Sequence, residues 1–316
     1  MKKVTVVIPT YNEEGNVEKM VATLTEIFEN KIKNYDYEIL FIDNRSEDQT
    51  RDIIRRLAEN NRRIKAIFNS NNFGWIRSPL HGLRSAEGDC AILMAADFQD
   101  PPSLIPEMIR SWEEGNKVVV GIKKSSKENP LMFLIRRVYY RFIEKLSEVH
   151  QISQFTGFGL YDRQFLDALR GFEDPIPYLK GIVPEIGFQR KEIEFVQNKR
   201  EAGISKSNFW RLFDYAMLGI TSNTKVLVHL AAIFGFIISG LSMLVAIAFF
   251  VLKLLRWNEY PMGMTPLLIG MFFFGGIEVS LIALIGEYVM TANIRAMRRP
   301  LVIEEERINF DKQKEE

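Results

Sequence analysis

Three short clusters of acidic, amide and hydroxyl residues contain the side chains of this sequence best suited to chemistry. They occupy residues 9–14 (PTYNEE), 43–46 (DNRS) and 97–102 (DFQDPP). Carboxylate and amide oxygens are the ligands that Mg²⁺ and Mn²⁺ prefer, and such ions bridge protein carboxylates to phosphate groups. Together the clusters favour a polar, nucleotide-sized ligand held with a divalent metal. Each cluster alone is equally compatible with a turn or a helix cap.

Each cluster follows a short apolar, β-branched run of the kind that forms a buried strand. A helical apolar stripe separates the first two runs, and Ser46 with Gln49 matches a capping box at the start of the next helix. Strands alternating with helices predict an α/β fold with a mostly parallel sheet, in which the carboxyl ends of the strands share one edge. The five predicted strands cover residues 4–8, 38–42, 64–68, 90–94 and 117–120.

Several other chemistries find no support in the sequence. It has no Walker A motif and no G-x-G-x-x-G after the first strand, which argues against a P-loop NTPase or a dinucleotide dehydrogenase. The histidines, His81, His150 and His229, are isolated, and a structural role is favoured for each. The single cysteine, Cys90, lies in a predicted strand and is a poor nucleophile candidate. Lys+Arg (41) and Asp+Glu (40) balance without a basic tract, so no nucleic-acid partner is expected.

The apolar residues are concentrated in two segments near the C-terminus. Residues 226–252 contain no Asp, Glu, Lys or Arg, and residues 265–286 contain only Glu278. Helices of these lengths would reach about 40 and about 33 Å, enough for a hydrocarbon core of about 30 Å. Eight basic residues flank the pair and two lie between the segments, which predicts that both ends are cytoplasmic. The sequence therefore predicts two membrane spans forming a hairpin.

Two further helices are predicted to be amphipathic. One covers residues 131–146 and places Arg137, Arg141 and Lys145 on one face. The other, residues 207–220, precedes the first apolar segment and is predicted to lie in the membrane interface, although a core helix of the soluble domain is an alternative.

No signal peptide is visible, so the N-terminal part is expected to stay in the cytoplasm. The predicted units are residues 1–205 (catalytic domain), 206–224 (interfacial helix), 225–290 (two spans) and 291–316 (a tail, solvated from residue 304).

In these motifs the chain resembles glycosyltransferase family 2. The resemblance rests on residues 6–14 (VVIPTYNEE), 42–50 (IDNRSEDQT) and 96–102 (ADFQDPP), together with 200–206 (REAGISK), which matches an Arg-x-x-Gly-x-Ser-Lys element. Within the family it is similar to the polyprenyl-phosphate glycosyltransferases, such as dolichyl-phosphate mannose synthase and the bacterial undecaprenyl-phosphate glucosyltransferases. This resemblance implies a GT-A domain and a homotetramer in the cell membrane. It also implies inverting transfer of one sugar from a nucleotide sugar, with a UDP-sugar favoured, to polyprenyl phosphate for cell-envelope glycans.

The resemblance also implies roles for individual residues. Pro9, Tyr11 and Glu13 would hold the base and ribose of the donor, with Asp43 reading the base and Ser46 also at the nucleotide. Asp97 and Gln99 would bind Mg²⁺ or Mn²⁺ on the diphosphate. Asp97 and the arginines Arg136, Arg137 and Arg200 would be catalytic, and the acceptor phosphate would be bound by Lys123, Arg136, Arg137, Ser205 and Lys206.

Two departures from the family pattern leave alternatives open. Ala95 stands where an Asp-x-Asp motif has its first carboxylate, and Asn44 replaces the second aspartate of the second strand. These changes motivate an alternative in which the protein is a membrane scaffold that binds nucleotide sugar or lipid without turnover. A processive polysaccharide synthase is a further alternative. It is disfavoured because such enzymes carry Gln-x-x-Arg-Trp, whereas the Arg256-Trp257 pair follows Lys253 and lies between the predicted spans.

Overall fold

The computed structural model describes most of the N-terminal half of the chain, one C-terminal helix and the segment that follows it. The described ranges are residues 1–123, 152, 154–172, 174, 178–197, 264–296 and 299–310, with single helical positions at 234, 237, 241, 244, 251 and 255. The predicted helices over 131–146 and 207–220 lie outside them, as do Arg136, Arg137, Arg200, Ser205 and Lys206.

The described residues form one eight-stranded sheet. Its strands are β1 (Lys3–Thr10), β2 (Asp36–Asp43), β3 (Ile64–Asn69), β4 (Cys90–Leu93), β5 (Val118–Lys123), β6 (Phe155–Asp162), β7 (Arg190–Phe195) and β8 (Glu304–Ile308). They lie in the order β7-β5-β6-β4-β1-β2-β3-β8. The central neighbours β3, β2, β1 and β4 are parallel, with Val6 of β1 opposite Ile39 and Ile92. Four apolar strands covered on both faces form this centre, which confirms the predicted GT-A-like α/β fold.

Helices cover both faces of the sheet. The helices α1, α2 and α4 bury side chains such as Met20 and Ile54 on one face, and α3, α5 and α6 bury Leu83 and Phe165 on the other. Gly82 lets α3 approach β1 closely, since a Cβ there would lie 2.6 Å from Val7. The described helices are α1 (Val17–Glu26, continued by a π-helical turn, Ile27–Lys31), α2 (Thr50–Asn60), α3 (Gly74–Ser85), α4 (Ile105–Glu113), α5 (Arg163–Arg170), α6 (Leu179–Ile186) and α7 (Met264–Ala296).

The capping-box prediction at Ser46 and Gln49 is wrong. The helix α2 begins at Thr50, and Gln49 occupies its N-cap position without a side-chain capping bond. The Ser46 hydroxyl instead donates to the carboxylate of Asp43 and accepts from the backbone of Asn12. The hydroxyl oxygen that would accept from a helix N–H in a capping box thus accepts from Asn12 instead, and the charge-assisted bond to Asp43 fixes the hydroxyl in that position.

The C-terminal acidic segment also differs from its predicted solvated state. Residues Glu304–Ile308 form β8, which pairs antiparallel with β3 and closes one edge of the sheet. Its charges are compensated, because Glu304 pairs with His81 and Arg307, while Glu306 pairs with Arg55. An edge strand rich in charges is a common arrangement, since it discourages pairing with other chains.

The predicted transmembrane hairpin is not supported. The helix α7 contains the second predicted apolar segment, and most of the first lies outside the described residues. Among the helices the structure describes, none combines the length and the apolar character needed to cross a bilayer.

Acid should weaken the attachment of β8 through Glu304. Burial alone would raise the pKa of this carboxyl, but hydrogen bonds from Arg307 and His81 outweigh burial and lower the pKa from 4.5 to about 2. Its stabilising contribution is therefore complete above pH 4.5 and is lost as the pH falls toward 2. We expect the free energy of unfolding of Glu304→Gln to lie below that of the wild type at neutral pH and to converge with it near pH 2. Denaturant unfolding at several pH values measures this, and a constant offset would contradict it.

Candidate functional site

The predicted clusters after β1, β2 and β4 lie side by side at one edge of the sheet. The three strands are parallel neighbours, so their carboxyl ends are adjacent. One non-glycine residue in each connecting loop adopts a left-handed backbone conformation: Asn12 (φ 58°), Arg45 (φ 66°) and Phe98 (φ 59°). Such backbone strain concentrates at functional sites, where surrounding contacts fix the loop.

Asp43 is the most buried acidic residue of this edge, with no exposed surface. Its Oδ2 accepts from the Ser46 backbone at 3.0 Å, its Oδ1 accepts from the Ser46 hydroxyl, and Arg51 Nε lies 3.0 Å from Oδ2. The Thr10 hydroxyl adds a longer contact of 3.4 Å. Burial raises the pKa of the Asp43 carboxyl, and these donors favour its charged form without fully offsetting burial. With no exposed surface, the carboxylate offers no free oxygen to a nucleobase, and its effect here is to fix the loop that follows it.

The loop after β1 is locked to the loop after β2 by backbone contacts. The Asn12 N–H donates to Ser46 Oγ at 2.9 Å, and the Glu13 N–H donates to Thr50 Oγ1 at 2.8 Å. The Asn12 side chain accepts from the Glu47 backbone at 2.9 Å. The predicted donor-binding residues, Pro9, Tyr11, Glu13, Asp43 and Ser46, thus belong to one interlocked unit.

Asn44 has a structural role that explains its departure from the family pattern. Its Nδ2 donates to Asn72 Oδ1 at 2.7 Å, and its Oδ1 accepts from the Phe73 backbone at 2.9 Å. Asn72 Oδ1 also accepts from the Gly74 backbone, so it needs a donor rather than a carboxylate opposite it. An amide at position 44 therefore ties the second loop to the start of α3.

The loop after β4 contains the predicted metal ligands. Asp97 is buried, and its Oδ1 accepts from the Gln99 backbone at 3.2 Å. Asp100, which sequence reasoning did not select, is also buried, and its Oδ2 accepts from the Ala95 backbone at 2.9 Å. Burial and, to a smaller extent, the charge of Asp97 together raise the pKa of Asp100 to about 6, although the hydrogen bond from the Ala95 backbone acts in the opposite direction. Two carboxylates thus remain in this loop despite Ala95.

The oxygen atoms of this loop suit a hard divalent ion only if a bound substrate contributes further oxygens. Within the described ranges, no group of three His, Cys, Asp or Glu side chains is arranged to hold a metal. Asp97 and Gln99 offer a carboxylate and an amide oxygen at one strand end. Mg²⁺ is often bound in this way, through one or two carboxylates and the phosphates of the substrate.

A cleft of about 140 Å³ adjoins these loops. Pro9, Ala95 and Asp100 connect it to the donor side, and most of the remaining lining is apolar. No motif pointed to its other residues, because they are single positions on helices and strands that the fold brings together. They include Trp75 and Pro79 of α3, Thr156 of β6, Tyr178, and Lys180 of α6.

Lys123 is the one predicted acceptor-phosphate residue that the structure describes, and it ends β5. The strand β6 lies antiparallel between β4 and β5, so Lys123 reaches the same edge as Asp97 from two strands away. Two strand spacings amount to about 10 Å.

The isolated residues His81 and Cys90 have the structural roles that the sequence favours. His81 Nε2 pairs with Glu304 and so holds α3 to β8. Cys90 is fully buried, and burial raises the pKa of its thiol well above the ordinary value. A buried thiol of this kind is not a nucleophile.

Comparison with known proteins gives consistent matches. Residues 5–170 match glycosyl transferase family 2. The bactoprenol glucosyl transferase of Shigella phage SfV is 30% identical over 313 residues, which are 99% of this chain and 100% of that protein. The putative glycosyltransferase CsbB of Bacillus subtilis (strain 168) is 33% identical over 297 residues, which are 94% of this chain and 89% of that protein.

Solved structures give weaker similarity. Glucosyl-3-phosphoglycerate synthase from Mycobacterium tuberculosis, in complex with Mn²⁺, uridine diphosphate and phosphoglyceric acid, has a TM-score of 0.47 at 15% identity. The match covers 70% of this chain and 76% of the synthase chain.

The bond from Glu13 to Thr50 should measurably stabilise the paired loops. Thr50→Val preserves the shape of the side chain but leaves the part-buried Glu13 N–H without its acceptor, which costs about 0.5–1.5 kcal/mol of unfolding free energy. Thr50→Ser keeps the acceptor and loses one methyl group, a cost of about 1 kcal/mol. Amide hydrogen exchange at Glu13 distinguishes the two, because only the valine variant should lose protection. Equal exchange in both variants would contradict this role.

Proposed function

Because the chain belongs to glycosyl transferase family 2, it is a glycosyltransferase, and we propose that it transfers one sugar from a nucleotide diphosphate sugar to a polyprenyl phosphate. The favoured donor is a UDP-sugar and the favoured acceptor is undecaprenyl phosphate. The single observation that carries this proposal is the meeting of the Asp43 and Asp97 loops beside a largely apolar cleft. The relatives named bactoprenol glucosyl transferases support the same acceptor class.

The donor half of the proposal rests on the interlocked loops. Asp43, which has no exposed surface, holds the loop beside which the base lies, and Pro9, Tyr11, Glu13 and Ser46 surround the base and ribose. These groups are held by their own contacts before any ligand arrives, as in the bond from Asn12 to Ser46. Such preorganisation reduces the entropy lost on binding. The diphosphate then extends toward Asp97.

A divalent ion fits the oxygen donors of Asp97 and Gln99, which would hold Mg²⁺ or Mn²⁺. Such an ion supplies positive charge that stabilises the leaving diphosphate. Ala95 removes one carboxylate from this site, but its backbone N–H is used to hold Asp100 at the cleft. We propose that Asp100 faces the transferred sugar.

The acceptor half rests on the cleft and on basic side chains. A polyprenyl phosphate is largely ionised at pH 7, because the second pKa of a phosphate monoester is about 6. Its oxygen can therefore attack the anomeric carbon without a strong general base, and in-line attack inverts that centre. Lys123 at the end of β5 would bind the acceptor phosphate. We propose the same role for Arg136, Arg137, Ser205 and Lys206, and a phosphate-stabilising role for Arg200.

The acceptor would require the site to work at a membrane surface. Support comes from α7, where large apolar side chains such as Leu267, Met271, Ile282 and Val289 are between 60% and 70% exposed. Extended exposed apolar surfaces mark contacts with lipid or with other proteins. We propose a cell-membrane protein with its catalytic domain and both termini in the cytoplasm, an interfacial helix over residues 206–224 and a homotetrameric assembly.

Transfer is tested directly with purified full-length protein, undecaprenyl phosphate in detergent and a panel of nucleotide sugars, with Mg²⁺ or Mn²⁺. We expect a lipid-linked monosaccharide from one UDP-sugar, detected by thin-layer chromatography and mass spectrometry. Omission of the lipid should leave the donor intact. Absence of lipid-linked sugar across the whole panel would refute the proposal.

The scaffold alternative, motivated by Ala95, predicts a different response to substitution of Asp97. In an enzyme, Asp97→Asn should lower kcat/KM at least about 100-fold, because the carboxylate proposed to hold the metal on the leaving diphosphate is lost. Asp167→Asn is a control, since Asp167 is an exposed residue of α5 paired with Arg170. Ala95→Asp measures in the same assay what a second carboxylate adds. Equal activities for the Asp97 and Asp167 variants would favour the scaffold.

A further inference from the structure

The C-terminal strand contacts the donor site through a single arginine. We propose that Glu305 of β8 is a positioning residue for donor binding, and that it acts through Arg51 on the buried carboxylate of Asp43. This inference rests on the proposed function, because it takes the loop that Asp43 holds to bind the donor. It makes the affinity for the nucleotide depend on a strand at the far end of the chain.

Arg51 bridges the two carboxylates. Its Nε lies 3.0 Å from Asp43 Oδ2, an ion pair in which the N–H is not directed at the oxygen as a hydrogen bond. Its Nη2 donates to Glu305 Oε2 at 2.8 Å, a contact between residues 254 positions apart. The Nη2 group also donates to the backbone oxygen of Asn69 at 3.2 Å. The guanidinium carbon lies 4.9 Å from the centre of the Phe68 ring. Because a guanidinium is planar with fixed donor directions, these contacts together set the orientation it presents to Asp43.

The position of Arg51 in α2 makes this reach possible. It is the second residue of the helix, and helical side chains point back toward the N-terminus. The N-terminus of α2 follows directly on the loop that begins at Asp43. The side chain therefore lies between the end of β2 and the edge where β8 pairs with β3.

A β-bulge gives Glu305 its direction. In the pairing of β8 with β3, Phe68 lies opposite Glu306 and Asn69 lies opposite Glu304, so Glu305 is the extra residue. In a regular strand, Glu305 and Glu306 would point to opposite faces of the sheet. Here both contact arginines of α2, one turn apart. Bulges re-aim side chains in this way and occur often beside active sites.

Glu305 is also near the loop that follows β2. Its Oε2 lies 3.8 Å from Arg45 Nη1, and Arg45 is the residue of that loop in a left-handed conformation. Glu305 thus contacts both the arginine that pairs with Asp43 and the loop that follows Asp43. Loss of its charge should disturb the donor pocket while leaving the Asp97 loop, where the chemistry takes place, unchanged.

The neighbouring pair of Arg55 and Glu306 is a matched control. Arg55 Nη2 donates to Glu306 Oε2 at 2.9 Å, and its guanidinium carbon lies 4.7 Å from the same Phe68 ring. Glu306 and Glu305 are similarly exposed, at 40% and 46% of their side chains. Arg55 has no contact with Asp43 among the described ion pairs; its second carboxylate is Asp52. The two pairs therefore differ chiefly in whether they reach the donor site.

The experiment compares Glu305→Gln with Glu306→Gln in the purified full-length protein. UDP binding is measured by titration calorimetry, and KM and kcat are measured with the UDP-sugar that the wild type accepts. We expect Glu305→Gln to raise the Kd for UDP and the donor KM about 10-fold, with kcat within about two-fold of the wild type. We expect Glu306→Gln to change the Kd and the KM by no more than about two-fold. Their melting temperatures should fall by similar amounts, because each loses one partly exposed ion pair.

A double-mutant cycle tests whether the effect passes through Asp43. If it does, Glu305→Gln should add little to the Kd of Asp43→Asn, whereas independent effects would multiply. Equal Kd values for the two glutamine variants, or full additivity with Asp43→Asn, would overturn the inference while leaving the proposed function intact. Absence of both UDP binding and sugar transfer in the wild type would instead refute the proposed function, and the inference with it.

Discussion

The buried carboxylate of Asp43 is the constraint around which this site is built. A charge with no exposed surface is unfavourable unless donors surround it, and here the donors come from several parts of the chain. The Ser46 backbone and hydroxyl, the Thr10 hydroxyl and the Arg51 guanidinium each contribute. These contacts fix Ser46, which in turn accepts from the Asn12 backbone of the loop after β1. They also include Arg51, which the C-terminal strand contacts through Glu305. A single desolvated charge thus accounts for much of the local geometry.

The site has two halves with different physical character. The donor half is polar and rigid, because its loops hydrogen-bond to one another and hold two residues, Asn12 and Arg45, in left-handed conformations. The cleft beside it is largely apolar, with Asp100 and Lys180 as its charged groups among the lining residues. A nucleotide diphosphate suits the first environment, and a lipid phosphate suits the second. Their boundary lies at Ala95 and Pro9, which line the cleft next to the donor loops.

Much of the fold followed from local pattern. The strand cores, the order of helices and strands in the first 120 residues and the adjacency of the three clusters were predicted, because buried parallel strands read as continuous apolar runs. The capping box at Ser46 was misread, since a short motif cannot reveal that the hydroxyl oxygen accepts from the Asn12 backbone. The acidic residues at 304–308 were misread for a related reason. Their partners, Arg51, Arg55 and His81, lie more than 200 positions away.

The sequence by itself determined the family, the α/β class and the residues of the donor loops, because these depend on contiguous motifs and on residue periodicity. Only the tertiary structure decided which residues lie near the positions where the chain departs from the family pattern. It placed Asp100 beside Ala95, gave Asn44 a role that needs both a donor and an acceptor, and collected Trp75 and Lys180 at one cleft. It also brought Glu305 to Arg51. These features depend on contacts between distant segments, and such contacts exist only once the sheet has aligned its strands.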